Sequence, residues 1–230
     1  AGGIGQAICR QLLLDSFHVI GLDLTWQDDA VFDNAAFRAV TGDLSDADIV
    51  RTIFEGIAAR EGHVDLLVNN AGTCFMSDFP DIPAEEFKRQ MAVNFDSCFH
   101  CCQAVIALMQ NGGGVRKIVN ISSNGAYNFD VFDPPHYRAS KAAMDNLTKD
   151  LARRYADQKI AVNSLAPAMT ETPLFGVLSE ETLAKAIATM PYGCAMQPEQ
   201  IASWVGFLAG TGGDVSSGNV IILNQGRDVR

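Results

Sequence analysis

The sequence predicts an α/β fold of three layers, in which helices cover both faces of a doubly wound parallel sheet. Short runs dense in valine, isoleucine and leucine alternate with longer stretches of helical periodicity along the 230 residues. This alternation is typical of strands joined by crossover helices. Hydrophobic residues make up 48% of the chain and charged residues 19%, a globular balance that excludes disorder. We interpret residues 1–230 as a single domain.

The sequence contains candidate strands and candidate helices in alternation. The strands are apolar along most of their length, as strands covered on both faces should be. We expect strands at residues 18–24, 37–41, 64–69, 117–122, 160–165 and 220–223. We expect helices at residues 4–14, 46–60, 84–109, 137–155, 180–188 and 198–209.

The chain opens on a glycine-rich turn, Ala1-Gly2-Gly3-Ile4-Gly5, that leads straight into a helix. In a dinucleotide-binding unit such a turn follows the first strand, which lies in the middle of the sheet order 3-2-1-4-5-6. We therefore expect a Rossmann-like sheet whose first strand is missing from the given chain, so that two neighbouring strands face a gap. We also expect residues to precede Ala1.

The glycine turn and the strand after it predict a nicotinamide cofactor site. Gly3, Ile4 and Gly5 place backbone N–H groups and the positive end of a helix where a pyrophosphate can approach. Asp23 ends the next apolar strand, 18 residues beyond Gly5, near the spacing at which a carboxylate binds the adenosine ribose. Because a carboxylate repels a 2′-phosphate and residues 24–29 contain no base, Asp23 favours NAD over NADP. The alternative interpretation of Asp23 is a strand-end turn residue.

Tyr137 and Lys141 are four residues apart in a predicted helix, so both side chains can reach one ligand. Upstream, an apolar strand runs into Ser122 and Ser123, and the carboxyl ends of strands form the side of an open α/β sheet that binds ligands. A ketone that accepts hydride develops alkoxide character and needs a proton. Tyr137 is the candidate general acid and base, and its ordinary pKa near 10 would have to fall to roughly 7. We expect the Lys141 cation to lower it.

Ordered motifs along nearly the whole chain resemble those of the short-chain dehydrogenase/reductase family, in its form with a single Rossmann-type domain. They are the truncated glycine turn, Asp23, Gly42-Asp43-Leu44, Asn69-Asn70-Ala71-Gly72, Val93-Asn94, Ile121-Ser122-Ser123, Tyr137-x-x-x-Lys141, Asn163-x-x-Ala166-Pro167, Met190-Pro191-Tyr192-Gly193 and Gln197-Pro198-Glu199. The resemblance implies a catalytic tetrad of Asn94, Ser123, Tyr137 and Lys141. It further implies that Ser123 holds the substrate oxygen, that Lys141 also binds the nicotinamide ribose, and that Asn94 orders a water molecule.

The resemblance also assigns further residues to the cofactor. It places Asp43 and Leu44 against the adenine, with a helix N-cap as the alternative role of Asp43. It places Asn70, Ala71 and Gly72 beside the cofactor, with a strand-end turn as the alternative.

Another group of residues borders the nicotinamide in the family, and there the chain departs from the usual pattern. The positions concerned are Pro167, Thr170 and Thr172. Ala168 stands where the family usually has glycine, and Thr170 stands where it usually has isoleucine or valine. Near the end of the chain, Asn224-Gln225-Gly226 replaces a more usual Asp-Gly-Gly.

Three loops that follow strands are expected to shape the substrate pocket, at residues 73–79, 124–136 and 168–196. Candidate apolar walls are Phe129, Phe132, Phe175, Met190 and Tyr192. Candidate partners for hydroxyl groups or a cation are Tyr127, Asp130, Asp133 and His136. For Arg227 and Arg230 we favour a solvated tail over an anion-binding role.

Charge and cysteine usage limit the partners of the chain. The net charge of −10 repels nucleic acid and anionic lipid surfaces. The six cysteines lack metal-ligand spacing, so we predict no metal and interpret them as reduced, mostly buried side chains. No apolar run reaches the ~18 residues of a membrane span, which predicts no membrane association and a cytoplasmic protein. The apolar helices at 84–109 and 137–155 predict a homotetramer or homodimer.

These observations predict an NAD-dependent oxidoreductase that interconverts a secondary alcohol and a ketone, with a polyol, a sugar or a small hydroxy compound as its substrate. One alternative is a 3-oxoacyl-[acyl-carrier-protein] reductase, against which Asp23 argues because that reaction usually draws on NADPH. The alternative of another class is a catalytically silent NAD-binding regulatory or scaffold protein. Such a protein would have no chemical need for all four residues of the tetrad.

Overall fold

The computed structural model describes residues 2–26, 33–128, 133–177 and 179–228. Its strands are β1 (Val19–Asp23), β2 (Phe37–Thr41), β3 (Leu66–Asn69), β4 (Arg116–Ile121), β5 (Ile160–Pro167) and β6 (Val220–Leu223). Its α-helices are α1 (Gly3–Leu14), α2 (Ala47–Glu61), α3 (Ala84–Met91), α4 (Ser97–Gln110), α5 (Pro135–Arg154), α6 (Glu180–Ala188) and α7 (Pro198–Ala209). The predicted α/β alternation is confirmed.

All strand pairs in the described residues are parallel. β1 pairs with β2, with Val19 opposite Phe37. The other four strands form a second sheet in the order β3-β4-β5-β6. Since the strands run parallel, their carboxyl ends meet at one edge, where β4 ends at Ile121 and β5 at Pro167.

A gap separates the two sheets. Within the described residues, no strand pairs with β1 on the side away from β2, or with β3 on the side away from β4. A cavity of about 700 Å³ lies between them, lined by β1, β3 and parts of α1 and α2. This is the gap that the sequence predicts between two neighbouring strands.

Two hydrophobic cores hold the helices against opposite faces of the sheet. One joins α1 and α7 to the sheet through residues such as Ile8, Leu12 and Val205. The other joins α2, α4 and α5 to the opposite face through residues such as Phe54 and Met144. The three layers expected from the sequence are therefore present.

The helix expected at residues 84–109 is one helical run, but it is not regular throughout. A π-helical segment, Ala92–Asp96, separates α3 from α4. The Ser97 hydroxyl donates a hydrogen bond to the Val93 carbonyl oxygen at 2.6 Å, next to the wider turn. The continuous run Ala84–Gln110 is long and apolar enough, by length and composition alone, to cross a membrane. In the most apolar stretch of this run, 44% is buried inside the protein. A helix of a protein core can have the same length and apolar composition.

The cysteines on α4 belong to the core, as the sequence predicts. Cys98, Cys101 and Cys102 are buried in the cluster that joins α4 to the sheet. Burial raises the pKa of Cys101 to about 12, so this thiol is neutral at physiological pH. In the part of the chain that the structure describes, no group of three or more His, Cys, Asp or Glu side chains could hold a metal ion.

Candidate active site

A cavity of about 390 Å³ opens at the carboxyl edge of the larger sheet. Three members of the predicted tetrad line it: Ser123, Tyr137 and Lys141. The glycine turn reaches it through Gly3 and Ile4. Strand ends and a helix start therefore converge on one cavity, as ligand sites in open α/β sheets do.

Ser123 and Tyr137 are brought together by the end of β4 and the start of α5. Ser123 comes two residues after β4, and its Oγ accepts a hydrogen bond from the Gly125 backbone N–H at 3.0 Å. Tyr137 lies in the first turn of α5, a helix that begins at Pro135, where the fixed φ of proline favours helix initiation. The Ser123 hydroxyl lies near enough to the Tyr137 hydroxyl to lower the pKa of Tyr137. Both can therefore face one substrate oxygen.

The structure does not give Tyr137 the lowered pKa that we expect from the sequence. The pKa of Tyr137 is raised, first because the phenol is desolvated and second because of the charge on Asp133. The Ser123 hydroxyl lowers it. The prediction of a lowered pKa is therefore wrong for the chain as it stands. Near neutral pH the phenol keeps its proton, which makes Tyr137 a proton donor.

Lys141 is buried one helical turn beyond Tyr137. Its Nζ donates a hydrogen bond to the backbone carbonyl oxygen of Ile121, the last residue of β4, at 2.8 Å. Burial lowers the pKa of Lys141 to about 8. The amine is therefore partly charged under physiological conditions, and a bound group that accepts a hydrogen bond from it or carries negative charge would favour its ammonium form.

Asn94 lies behind the cavity rather than on its wall. Its Oδ1 accepts a hydrogen bond from Thr73 N at 2.8 Å, and its Nδ2 donates to the Thr73 carbonyl oxygen at 2.9 Å. The same Nδ2 donates to the Ser140 hydroxyl at 3.0 Å. Asn94 thus fixes the chain after β3 against α5. That it orders a water molecule stays a prediction.

The glycine turn fits a dinucleotide, because a side chain on Gly3 or Gly5 would crowd neighbouring residues at the point where the ligand must approach the backbone. Gly3 has φ +51°, and a Cβ on it would lie 3.0 Å from Thr172 Cγ2. A Cβ on Gly5 would lie 2.9 Å from Asn70 Nδ2. The start of α1 has no side-chain cap, so no side chain stands between a ligand and the positive end of the helix, although the Gly5 N–H itself donates to the Gly2 carbonyl oxygen at 3.1 Å. The turn is packed so closely against the strand ends that only glycine leaves the backbone accessible.

Most of the predicted cofactor residues line one or both of the two cavities, whereas Asp43 lines neither. Pro167, Thr170 and Thr172 line the smaller cavity with Gly3 and Ile4. Gly2 and Asn70 line both cavities, which join at the glycine turn. The larger cavity is lined by further predicted contacts, namely Gly5, Asp23, Leu44 and Ala71.

Two of these residues also make local contacts. Thr170 donates from its hydroxyl to the Ala168 carbonyl oxygen at 3.1 Å. A Cβ on Gly72 would lie 3.4 Å from both Asn94 Oδ1 and Lys141 Nζ, so Gly72 lets these two side chains approach the strand end.

Asp43 has a local role that differs from the helix cap considered above. Its Oδ1 accepts hydrogen bonds from Ser45 N at 2.9 Å and Ser45 Oγ at 2.6 Å, and these lower the pKa of Asp43. The N-cap of α2 is Asp46, whose Oδ1 accepts from Asp48 N and Ile49 N. The N-cap alternative for Asp43 is therefore wrong, because the capping carboxylate is three residues further on.

The substrate loops contribute a smaller set of side chains than the sequence suggests. Phe175 and Asp133 line the smaller cavity. Met190 is instead 3% exposed within the core of α1 and α7, and Tyr192 is 75% exposed. These two are therefore not pocket walls. The candidates Phe129, Asp130 and Phe132 lie outside the described residues.

The other polar candidates have partners away from the substrate. A hydrogen bond from Tyr127 lowers the pKa of Asp145. The His136 ring nitrogen lies 3.2 Å from the Glu86 carboxylate. Arg227 was expected in a solvated tail, but its side chain is 12% exposed and lines the smaller cavity. Arg230 lies outside the described residues.

Comparison with known proteins supports the same interpretation. A family model described as enoyl-(acyl carrier protein) reductase matches residues 1–228. The chain belongs to the short-chain dehydrogenase/reductase family. It is 32% identical over 236 residues to the acetoacetyl-CoA reductase of an Acinetobacter strain, covering 98% of this chain and 93% of that protein.

Two solved structures of this short-chain dehydrogenase/reductase fold show how far the likeness extends. Ligand-free aldohexose dehydrogenase of Thermoplasma acidophilum is 26% identical, with a TM-score of 0.88 and coverage of 100% of this chain and 91% of that one. Pseudomonas aeruginosa RhlG in an NADP active-site complex is 27% identical, with a TM-score of 0.90 and coverage of 98% and 92%. As a family member, the chain is an oxidoreductase that acts on hydroxyl or keto groups with a nicotinamide dinucleotide.

The residue pattern gave no indication of three side chains near the candidate active site. Gln90 accepts a hydrogen bond from Phe75 N at 3.0 Å and donates to the Thr73 carbonyl oxygen at 2.7 Å, so it fixes the first substrate loop with Asn94. Asn128 and Asp145 are the others. Each is a single polar residue without a motif, and only the fold shows what surrounds it.

Proposed function

We propose that this chain catalyses the NAD-dependent interconversion of a secondary alcohol and a ketone. The observation that carries the proposal is the meeting of Ser123, Tyr137 and Lys141 on one cavity that the glycine turn also reaches. A hydroxyl pair and a buried amine beside a glycine turn suit proton transfer coupled to hydride transfer.

The residues of the chain divide the proton chemistry between them. When bound, the nicotinamide supplies or accepts the hydride. In reduction, Tyr137 donates its phenolic proton to the carbonyl oxygen that becomes an alkoxide. Ser123 holds that oxygen by a hydrogen bond. Lys141, one turn away, stabilises the phenolate that remains and binds the ribose of the cofactor.

Asp23 supports NAD as the preferred cofactor. It ends β1 at the carboxyl end of that strand, the side of a parallel sheet on which the glycine turn and a bound dinucleotide lie. A carboxylate there can accept hydrogen bonds from both ribose hydroxyls, whereas a 2′-phosphate would meet a like charge. RhlG, a relative in fold, was solved with NADP, so the cofactor must be measured for this chain itself.

Polar side chains support a small hydroxylated substrate, such as a polyol or a sugar. Asn128 and Asp133 line the smaller cavity beside Ser123. A Cβ on Gly125 would collide with the Asp133 carboxylate and lie 3.2 Å from Ser123 Oγ, which places that carboxylate close to the hydroxyl that holds the substrate oxygen. A carboxylate favours a substrate with a second hydroxyl or an amine next to the reacting carbon.

The second candidate is a 3-oxoacyl thioester reductase. The likeness to acetoacetyl-CoA reductase and to the enoyl-(acyl carrier protein) reductase family model favours it. Met76, Met169 and Phe175 give the cavity an apolar wall that an acyl chain could use. The substrates of the two candidate functions differ in the group near the reacting carbonyl. It is a hydroxyl in a polyol or sugar and a thioester in a 3-oxoacyl substrate.

We further propose a homotetramer. Phe87 on α3 and Phe99 on α4 are 48% and 41% exposed, and Trp204 and Phe207 on α7 are 40% and 55% exposed. Two apolar surfaces on opposite layers of the domain could each bind a second copy of the chain, and two such interfaces build a tetramer of twofold symmetry.

The test is a panel of substrates with each cofactor. Purified protein is incubated with NAD or NADP and polyols, sugars or simple secondary alcohols, and with the reduced cofactors and acetoacetyl-CoA. The absorbance of the reduced nicotinamide reports turnover. We expect a higher kcat/KM with NAD than with NADP and with polyols than with acetoacetyl-CoA. Preference for NADPH and the thioester would favour the second candidate.

A further inference from the structure

Asp145 is a buried carboxylate that continues the catalytic side of α5. Tyr137, Lys141 and Asp145 follow one another at intervals of four residues, so they lie along one face of the helix. Asp145 is only 2% exposed. A buried carboxylate is unfavourable unless hydrogen bonds and opposite charge compensate the lost hydration. The surroundings of Asp145 supply both.

The carboxylate is tied to two strands of the sheet. Its Oδ2 accepts a hydrogen bond from Ser122 Oγ at 2.9 Å, and its Oδ1 accepts one from Ser164 Oγ in β5 at 2.6 Å. Ser122 lies between Ile121 and Ser123. Asp145 therefore fixes the peptide segment that carries both the acceptor of the Lys141 amine and the catalytic hydroxyl.

The charge of Asp145 acts on Lys141. Burial lowers the pKa of Lys141, and the groups that raise it are Cys98 on α4, Asp145 on α5 and Cys74 in the loop after β3. The pKa of Cys98 lies well above its ordinary value and that of Cys74 is raised to about 12, so both thiols are neutral near pH 8. Burial raises the pKa of Asp145, but Ser164, Ser122, Tyr127 and Lys141 all oppose that rise. Asp145 is the group of the three that supplies negative charge.

We propose that Asp145 is a positioning residue of the active site, which fixes the end of β4 and serves as the counter-charge of the Lys141 ammonium. This role rests on the proposed function, because it acts through Lys141 and Ser123. A neutral side chain of the same shape could keep part of the hydrogen bonding. It could not replace the charge, and this difference makes the role testable.

The test compares Asp145→Asn with Asp150→Asn, a matched change on the same helix. Asp150 is an exposed carboxylate paired with Arg154 at 3.0 Å. Lysine side chains are labelled with 13C, the Lys141 signal is assigned from its loss in Lys141→Arg, and its titration is followed by NMR. We expect the Lys141 midpoint to move to lower pH by roughly half a pH unit or more in Asp145→Asn. In Asp150→Asn it should stay where it is.

Turnover provides the second measurement. For Asp145→Asn we expect kcat to fall by about tenfold or more and its decline at alkaline pH to begin at lower pH, with cofactor affinity preserved. A lower kcat with an unmoved pH profile and an unmoved Lys141 titration would show a merely structural role and overturn the proposal. If the wild-type chain turns over no alcohol or ketone, the proposed function fails, whereas the NMR titration still decides the effect of Asp145 on Lys141.

Ser164→Ala keeps the test decisive if Asp145→Asn does not fold. It removes one donor to Asp145 and leaves the carboxylate in place. We expect a loss in kcat of roughly threefold or more, because the carboxylate is held less firmly and its charge is less well stabilised. A folded Ser164→Ala variant with wild-type kcat and a wild-type pH profile would overturn the proposal.

Discussion

The side-chain nitrogen of Asn70 occupies the space that a Cβ on Gly5 would need, at 2.9 Å. This contact joins the glycine turn at the start of α1 to the end of β3. Asn70 also lines the smaller cavity, at the point where the gap between the two sheets reaches it. The shape of the cofactor groove therefore depends on a hydrogen atom, rather than a methyl group, at Gly5.

Gly5→Ala should weaken cofactor binding. The new methyl group would push Asn70 or the turn away from its position, and crowding in a packed region typically costs about 1–3 kcal/mol. We expect the Kd for NADH, measured by fluorescence titration, to rise about tenfold or more. Gly56→Ala in α2 is the control, because a Cβ there meets nothing within 4 Å. An unchanged Kd in Gly5→Ala would contradict the role of the turn.

Ketone reduction should decline as the pH rises through about 8. The pKa of Lys141 is lowered to about 8, so the stabilising ammonium is present below this pH and lost above it. Tyr137 has a raised pKa and stays protonated across the same range. A pH profile of kcat for the ketone checks this. A rate that stays constant to pH 10 would exclude an essential Lys141 charge.

Replacing Asp23 should reduce the preference for NAD. Asp23→Ala removes the carboxylate that repels a 2′-phosphate, so the ratio of kcat/KM with NADP to that with NAD should rise by about tenfold or more. Asp33→Ala, an exposed carboxylate on the segment before β2, is the control. Equal ratios in the wild type and Asp23→Ala would mean that Asp23 does not contact the ribose.

Thiol labelling should separate the cysteines by burial. Cys194 is exposed, whereas Cys98, Cys101 and Cys102 are buried. Burial also raises the pKa of Cys9 to about 11 and of Cys74 to about 12, which slows their reaction because the thiolate is the nucleophile. In a native protein treated with a disulfide reagent, we expect one fast thiol that disappears in Cys194→Ser. Fast reaction of Cys98, Cys101 or Cys102 would contradict the packing of α4.

Much of the fold could be predicted because its strands and helices have distinct periodicities. The expected bounds of β2, β6, α6 and α7 agree with the structure to the residue. The π-helical segment in Ala84–Gln110 was not predictable, because one wider turn leaves the apolar pattern of a helix almost unchanged.

The site was predictable where several residues form a motif and unpredictable where one residue acts through the fold. Ser123, Tyr137 and Lys141 meet as expected. Asp145 gave no signal, since a single aspartate in a helix usually faces solvent. Its two hydroxyl partners come from positions 19 and 23 residues away in the sequence. The pKa of Tyr137 also depends on how deeply the phenol is buried, which the residue pattern does not indicate.

The most direct test of the account is the turnover of Tyr137→Phe. Without the phenolic hydroxyl the general acid of the proposed mechanism is lost, so kcat should fall by about 100-fold or more, while the Kd for NADH stays within about twofold. Tyr155→Phe, at the other end of α5, should keep wild-type kcat. If Tyr137→Phe turns over at the wild-type rate, Tyr137 is not the general acid and the proposed mechanism is wrong.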